Sequence, residues 1–243
     1  MIVEGRNAVR ETLKSGKTIE KLIIQKGNRD GATGEIVALA KKAGVKILYQ
    51  EKELMDKQSP SGRHQGVMCY KTDFVYSEVE DIIQVAKDRG EELFIVILDG
   101  ISDPHNLGSI IRTAECAGVH GIVIPKHRAC GVNDTVIKIS EGASEYVKIA
   151  MVTNINDTIR QLKDEYFVNV IAADMDGKVC YDVDLKVPLA LVIGGEGDGV
   201  KRLTKSLCDY SIAIPMKGKI NSLNASVAAA VSFYEIVRQR LTL

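Results

Sequence analysis

The fold class follows from residues 93–125, LFIVILDGISDPHNLGSIIRTAECAGVHGIVIP. This stretch opens with a continuous aliphatic run, LFIVIL (93–98), and closes with a second one, GIVIP (121–125). Between them, a polar loop leads into a sequence with the periodicity of a helix at about 107–117. Strands buried on both faces are continuously apolar, and a helix between two such strands lets them run parallel. The stretch therefore predicts one unit of a parallel α/β sheet.

The same alternation of aliphatic strands and amphipathic helices continues downstream. A parallel sheet covered by helices on both faces is therefore the predicted core of residues 93–243. The further strands are predicted at 167–173, 188–194 and 211–215, and the further helices at 155–165, 200–207 and 223–240.

Upstream, residues 1–72 predict a second, smaller α/β domain that contains an exposed loop, SPSGRHQG (59–66). Residues 73–92 are acidic and amphipathic, with a helix predicted from Ser77 to Arg89. Ser77 and Glu80 would form its capping box, and we interpret the whole segment as a linker. In the small domain, helices are predicted at 8–14 and 34–43, and strands at 22–25, 45–49 and 66–70.

The composition is that of a soluble globular protein, with 243 residues, 45% hydrophobic, 26% charged and a formal net charge of zero. Aromatic residues make up only 5%, which argues against base stacking as the main mode of ligand binding. The opening residues lack a signal peptide and no apolar run is long enough for a membrane span, so we expect a cytoplasmic protein. The five cysteines include no CxxC pair, so neither a disulfide framework nor a metal site is expected.

The charge is unevenly distributed along the chain. Residues 1–72 carry 14 Lys/Arg against 8 Asp/Glu, a surplus of +6, whereas residues 93–243 carry a net −1. A basic surplus of this kind favours RNA phosphates as a partner, and the alternative is a solvated surface that confers solubility. The candidate RNA-binding residues are Arg6, Arg10, Arg63 and His64.

Polar or Gly-rich loops follow three predicted strands, at the end of the sheet where open α/β folds bind ligands. The first loop, DGISDPHNLGSIIRTAECAG (99–118), enters a helix that carries Asn106 and Arg112. A helix N-terminus beside these two side chains suits a phosphate or a developing oxyanion. The alternative is a solvated arginine on the helix surface.

The second loop is IGGEGDGV (193–200), and the third is IPMKGKINSLNASVAAAV (214–231). The glycines of the second allow a close approach of main chain to ligand, but their spacing matches neither a dinucleotide fingerprint nor a P-loop. A plain strand-to-helix turn is its alternative. Ser222 and Asn224 of the third loop precede a helix, so helix capping is their alternative role.

In order and spacing, the strings DGISDPHNLGSIIRTA, LVIGGEGDGV and IPMKGKINSLNASVAAAV resemble the three signature motifs of the SpoU/TrmH family of RNA ribose 2′-O-methyltransferases, in the SPOUT superfamily. EGRNAV (4–9) and HQGV (64–67) look like the substrate-binding domain of the branch that methylates a guanosine of large-subunit (23S) ribosomal RNA. The resemblance implies a SPOUT-type parallel sheet with a C-terminal trefoil knot, plus a small N-terminal α/β RNA-binding domain.

The resemblance also implies S-adenosylmethionine as cofactor, a homodimer, and neither metal nor membrane. The catalytic set that it implies is Asn106, Arg112, Glu196, Ser222 and Asn224. The cofactor-binding residues that it implies are Gly194, Gly195, Gly199, Ile214, Met216 and Leu223. A dimer would bury the apolar residues of the last helix, namely Ala228, Val231, Phe233, Ile236 and Val237.

The implied chemistry needs few groups, because a methyl on a sulfonium is already activated and the protein has only to align the 2′-oxygen and assist loss of its proton. A guanidinium stays charged, so we expect Arg112 to stabilise the nascent alkoxide and grip a phosphate rather than act as a base. Ser222 and Asn224 would position the ribose or relay the proton, and Glu196 would orient Arg112 or the knotted loop. The alternatives are a tRNA ribose methyltransferase of the same family and a non-catalytic, RNA-binding ribosome assembly factor.

Overall fold

The computed structural model describes residues 2–14, 19–28, 30–71, 74–195, 197 and 199–241. The chain divides into two compact units, residues 1–75 and 76–243. The smaller unit holds a four-stranded sheet and the larger unit a six-stranded sheet.

The small unit has the strand order β1-β4-β2-β3, in which β4 is antiparallel to both neighbours and β2 is parallel to β3. Side chains of β2 alternate between the two faces of the sheet. Leu22 and Ile24 join the core beneath α1 and α2, while Ile23 packs with Met55 of α3 on the other face. The elements are β1 (Ile2–Glu4), α1 (Arg6–Lys14), β2 (Ile19–Gln25), α2 (Gly31–Lys42), β3 (Lys46–Gln50), α3 (Lys52–Gln58) and β4 (Val67–Lys71).

The large unit has the strand order β10-β8-β9-β5-β6-β7, and every neighbouring pair is parallel. The predicted parallel sheet is therefore confirmed. Its elements are α4 (Val79–Arg89), β5 (Phe94–Asp99), α5 (Pro104–Cys116), β6 (Gly121–Pro125), α6 (Asp134–Ile139), β7 (Lys148–Val152), α7 (Ile155–Tyr166), β8 (Asn169–Val179), β9 (Leu189–Gly194), α8 (Arg202–Leu207), β10 (Tyr210–Ala213) and α9 (Ala225–Leu241).

Helices cover both faces of the large sheet. The residues of α4 and α7 form one core with Ile95, Ile97 and their neighbours in the sheet. On the opposite face, α5 packs against α9, and the rings of Phe94 and Phe233 meet edge to face with their centroids 5.8 Å apart. None of the helices in the part of the chain that the structure describes has the length and apolar character needed to cross a membrane.

The segment 73–92, predicted as a linker, contributes a core helix instead. Val79, Ile82, Ile83 and Ala86 of α4 are buried in the core of the large unit. Their spacing is the i, i+3, i+4, i+7 stripe of an amphipathic helix, which the acidic composition of the segment obscures. The predicted capping residues are also wrong by one position, because the Asp81 carboxylate accepts the Glu78 N–H at 2.9 Å.

Two polar side chains, those of Arg240 and His120, form hydrogen bonds with main-chain groups at the starts of the central strands. Arg240 of α9 donates to main-chain carbonyl oxygens ahead of two central strands, at 2.6 Å to Glu92 and 2.9 Å to Val187. His120 is buried, its Nδ1 accepts the Phe94 N–H at 2.9 Å, and its Nε2 lies 3.0 Å from Glu91. Burial is the main cause that lowers the pKa of His120.

Candidate active site

The first two predicted loops begin side by side, because β5 and β9 are neighbours and Asp99 pairs with Gly194 at their ends. The third loop leaves β10 at the edge of the sheet and returns to the first. At its end, the Asn224 Nδ2 donates to the Asn106 Oδ1 at 2.9 Å. The fold therefore brings together two candidate catalytic residues that are 118 positions apart in the sequence.

Glycine is required where the first two loops cross. The Gly195 N–H donates to the Asp99 carbonyl at 3.0 Å, and a Cβ at Gly195 would lie 2.6 Å from the Gly100 oxygen. A Cβ at Gly194 would overlap the main chain of Gly199 and its neighbour. Only residues without a side chain permit main-chain segments to approach this closely. Such a crossing is compatible with the trefoil knot that the resemblance implies.

An ion pair between the buried Asp99 and the half-exposed Lys201, which was not predicted from the sequence, fixes the same crossing. The Asp99 carboxylate is almost fully buried, and it accepts both the main-chain N–H and the ammonium group of Lys201, at 3.0 and 2.5 Å. A buried carboxylate needs such partners, since it has left water. The signal in the sequence was an acidic residue that closes a wholly apolar strand.

Arg112 lies on α5 with its side chain 53% exposed, and its Nη1 is 2.8 Å from the Glu141 Oε1. Glu141 follows α6 in a left-handed conformation, with φ of 48°. Exposed ion pairs of this kind contribute little stability, so the guanidinium can readily exchange the carboxylate for another anion. Glu196, the partner expected from the sequence, lies outside the described residues.

Asn224 combines the two roles that the sequence left open. Its Oδ1 accepts the N–H and the hydroxyl of Ser226 at 2.9 and 2.6 Å, at the start of α9. Its Nδ2 reaches the largely buried Asn106, as described above. Helix capping therefore orients the same amide that joins the two loops. Ser222 is exposed two residues upstream.

The third loop offers features that suit a nucleoside-like ligand. Among the residues that the structure describes, none makes a hydrogen bond to the segment 216–223, so its main-chain groups remain available. Three apolar side chains of this segment are solvent-exposed: Met216, Ile220 and Leu223. Apolar contact beside free main-chain donors and acceptors is what a flat, polar-edged ring system requires. The predicted cofactor-binding residues fit S-adenosylmethionine on this ground, with Ile214 half-buried at the start of the loop.

The predicted RNA-binding residues of the small unit differ in availability. Arg63 is exposed, whereas Arg6 pairs with Asp30 at 2.5 Å and Arg10 lies 3.4 Å from Glu35. For His64 the expected RNA contact is wrong. Its ring is only 4% exposed, with Nε2 2.8 Å from Asp56 and Nδ1 accepting the Gly66 N–H, so it holds the loop together.

Comparisons with known proteins agree with this architecture. The family described as the SpoU rRNA Methylase family matches residues 93–234, and the domain described as RNA 2′-O ribose methyltransferase substrate binding matches residues 2–77. Fold and site thus define an RNA 2′-O ribose methyltransferase with a separate substrate-binding unit. The chain belongs to the SpoU/TrmH family.

Individual relatives and solved structures match from two thirds of the chain to all of it. YacO of Bacillus subtilis, named as a TrmH family tRNA/rRNA methyltransferase, is 45% identical over 239 residues, which are 98% of this chain and 95% of that protein. The SpoU methyltransferase AviRb of Streptomyces viridochromogenes, solved with AdoMet, has a TM-score of 0.64 at 23% identity and covers 100% of this chain and 91% of its own. The TrmH/SpoU tRNA modifying enzyme of A. aeolicus has a TM-score of 0.57 at 28% identity, over 67% of this chain and 83% of that one. The α/β fold class with a separate N-terminal unit is therefore confirmed.

Proposed function

We propose that this protein transfers the methyl group of S-adenosylmethionine to a ribose 2′-hydroxyl of ribosomal RNA, with a guanosine of the large-subunit (23S) RNA as target. The observation that carries the proposal is the hydrogen bond between Asn224 and Asn106, because it assembles residues of two motifs at the carboxyl end of a parallel sheet. Membership of a family of RNA ribose methyltransferases supports the reaction class.

S-adenosylmethionine supplies a methyl group that its sulfonium has already activated. Gly194, Gly195 and Gly199 would present main chain to it, and Ile214, Met216 and Leu223 would cover its apolar parts. Two observations support binding of this cofactor. The main chain of the glycine loop crosses the first loop without side chains, and the third loop exposes apolar residues. The chain needs no other group to make the methyl reactive.

The side chains would position the ribose and stabilise the charge that develops on its 2′-oxygen. The Asn106 and Asn224 amides, fixed by each other, would hold the ribose together with the exposed Ser222. Arg112 would leave Glu141, bind the adjacent phosphate and stabilise the 2′-oxygen as its proton passes to solvent water, directly or by relay through Ser222. Glu196 is kept as a candidate for orienting Arg112.

We assign the small unit, within residues 1–72, to recognition of the RNA and residues 93–243 to methyl transfer. The small unit carries the basic surplus of +6, and its exposed Arg63 is free to meet a phosphate. RNA binding by this unit should therefore weaken as salt increases. The specificity for ribosomal rather than transfer RNA rests on this unit.

A homodimer belongs to the same proposal. Phe233 and Ile236 of α9, expected at a dimer interface, are fully buried within the chain instead. Val227 and Tyr234 are exposed and Val231 is half-buried, and the three form one apolar stripe, spaced i, i+4 and i+7. An apolar stripe of this kind suits contact with a second copy.

A methyl-transfer assay tests the proposal. The protein is incubated with tritiated S-adenosylmethionine and, in separate reactions, with unmodified 23S ribosomal RNA, unmodified 16S ribosomal RNA and unmodified tRNA transcripts. Label in the 23S RNA, mapped to a guanosine 2′-oxygen, is the expected result. Label in tRNA alone would establish the tRNA alternative. A protein that binds RNA but neither binds the cofactor nor transfers label would be an assembly factor.

A further inference from the structure

The small unit contains a cleft of about 450 Å³ that the proposed reaction does not use. It lies between the carboxyl end of β2, the first turns of α2 and the edge strand β3. The fully buried Ile24 lines it, together with Val37 and Tyr49. Its volume falls within the range of pockets that bind small molecules.

Tyr49 gives the cleft an aromatic wall. Tyr49 of β3 pairs with Ile24 of β2, and its side chain is 56% exposed. Aromatic residues are few in this chain, so an exposed one is notable. Ile47, two positions earlier, packs into the core beneath α2, so Tyr49 lies on that same face of the sheet. An exposed ring beside a cleft is a surface on which another planar ring can stack.

Asn28 supplies a polar edge to the same cleft. The described part of the chain contains no hydrogen-bond partner for its side-chain amide. A Cβ at Gly66 would lie only 2.6 Å from the Asn28 Nδ2, so the glycine of the HQGV stretch makes room for this amide. An amide offers both a donor and an acceptor, as the edge of a nucleobase does.

We infer that this cleft binds one unpaired nucleotide of the substrate RNA, with the base stacked on Tyr49 and its edge bonded to Asn28. The inference rests on the proposed function, whose substrate it describes further. A nucleotide fits better than a peptide because the unit is basic, and because Lys26 at the rim forms an exposed ion pair, 2.7 Å from Glu51. Lys26 can therefore turn to the phosphate of the bound nucleotide.

Two glycines of α2 provide a matched test. Gly34 lines the cleft, whereas Gly31, three residues earlier in the helix, does not. Neither has a positive φ, and nothing lies within 4 Å of a Cβ at either position, so both tolerate a side chain. Gly34→Leu should fill the cleft, and Gly31→Leu should add the same side chain outside it.

The measurement is the affinity of each full-length variant for an unmodified 23S ribosomal RNA transcript at fixed salt. We expect Gly34→Leu to weaken binding about tenfold, the scale of losing one stacked base, and Gly31→Leu to stay within about twofold of the parent. Equal affinities for all three proteins, or equal losses in both variants, would overturn the inference. If Gly34→Leu bound RNA as tightly as the parent, a peptide would become the better candidate for the ligand of the cleft.

A second pair of variants decides the matter should Gly34→Leu fail to fold. Tyr49→Phe retains the ring and Tyr49→Leu removes it while keeping apolar area. Only Tyr49→Leu should weaken RNA binding, by about tenfold, and the slope of affinity against salt should not change because no charge is lost. Equal binding by both variants contradicts the stacking role. Both pairs of variants are compared by RNA affinity and not by methyl transfer. A parent protein that binds RNA without transferring a methyl group would therefore refute the proposed function, but the role of the cleft could still be tested.

Discussion

A substitution of Arg112 tests whether this residue stabilises charge during methyl transfer without taking part in cofactor binding. Arg112→Ala removes a cation that we place beside the reacting oxygen, so methyl transfer should fall about 10²-fold or more, as when one oxyanion donor is lost. Cofactor affinity, measured by calorimetric titration, should be unchanged. Glu141→Gln is the matched control, because it removes only the exposed partner of Arg112 and should leave turnover near that of the parent. Normal turnover by Arg112→Ala would refute the assignment.

Gly195 permits a second test at the residue scale. Gly195→Ala places a Cβ 2.6 Å from the Gly100 oxygen, so the main chain must move and cofactor binding should be lost. Gly31→Ala, on α2 of the small unit, is the control because nothing lies within 4 Å of a Cβ at that position. Cofactor titration and thermal unfolding of both variants provide the measurement. Cofactor binding by Gly195→Ala at the affinity of the parent would contradict a main-chain role for this loop.

The sequence was most informative about residues whose chemistry depends on a motif. Asn106 and Asn224 were predicted as one site, and the structure places them in contact. Glu141 was missed because it lies 29 positions from Arg112, in a stretch without a predicted element. His64 was misjudged for a different reason. A histidine in a polar loop gives no sign in the sequence that main-chain geometry will bury it.

Among the elements, β5 and β6 are joined by His120, which lies just before β6, accepts the Phe94 N–H at the start of β5 and makes stability depend on pH. Burial lowers the pKa of His120 in the folded protein, so the unfolded chain binds the proton first as pH falls below its ordinary value of 6.5. The stabilisation is complete above that pH and is lost progressively below it, by at most about 1.4 kcal/mol per pH unit for one proton.

Urea unfolding at pH 7.5, 6.5 and 5.5 measures this dependence. The parent should lose stability across the interval, and His120→Gln should start less stable and lose less. A parallel decline in both proteins would mean that other groups, such as the carboxylates, produce the dependence. His120 would then have no part in it.

Elements were predictable where burial is complete on both faces. β5, β6 and β9 are continuous aliphatic runs, and their predicted bounds agree with the structure to within one residue. The short or partly exposed elements β1, α3, α6 and β7 were not predicted, because their packing comes from neighbours distant in the sequence. α4 was predicted as a helix, but the sequence did not reveal which unit it packs against.

At the scale of the whole molecule, the apolar stripe on α9 leads to a test of assembly. Val227→Glu places a charge on an exposed position of that stripe, so it should weaken the homodimer at least about tenfold without unfolding the chain. Sedimentation should give twice the 26.5 kDa chain mass for the parent and a concentration-dependent decrease for the variant. Leu54→Glu, an equally exposed apolar position on α3, is the control. A parent that stays monomeric at all concentrations would refute the dimer.

The order of strands in the large sheet could not be read from the sequence. Periodicity identifies strands, but it carries no information on which strands are neighbours, and β9 beside β5 results from contacts about a hundred positions apart. The resemblance supplied the fold class in advance. The crossing of Gly195 with Gly100 and the ion pair of Asp99 with Lys201 depend on residues that are distant in the sequence, so no local pattern predicts them.

The hydrogen bond of Asn224 to Asn106 also determines how early this contact can form during translation. A ribosome adds about 5–20 residues per second, so Asn224 emerges about 6–24 seconds after Asn106. Arg240, which donates to carbonyls 148 and 53 positions earlier, emerges later still. During this interval the residues that we propose as catalytic are not yet in contact. Under the proposed function, the nascent chain therefore cannot modify RNA, including that of the ribosome that is producing it, until its last helix has been translated.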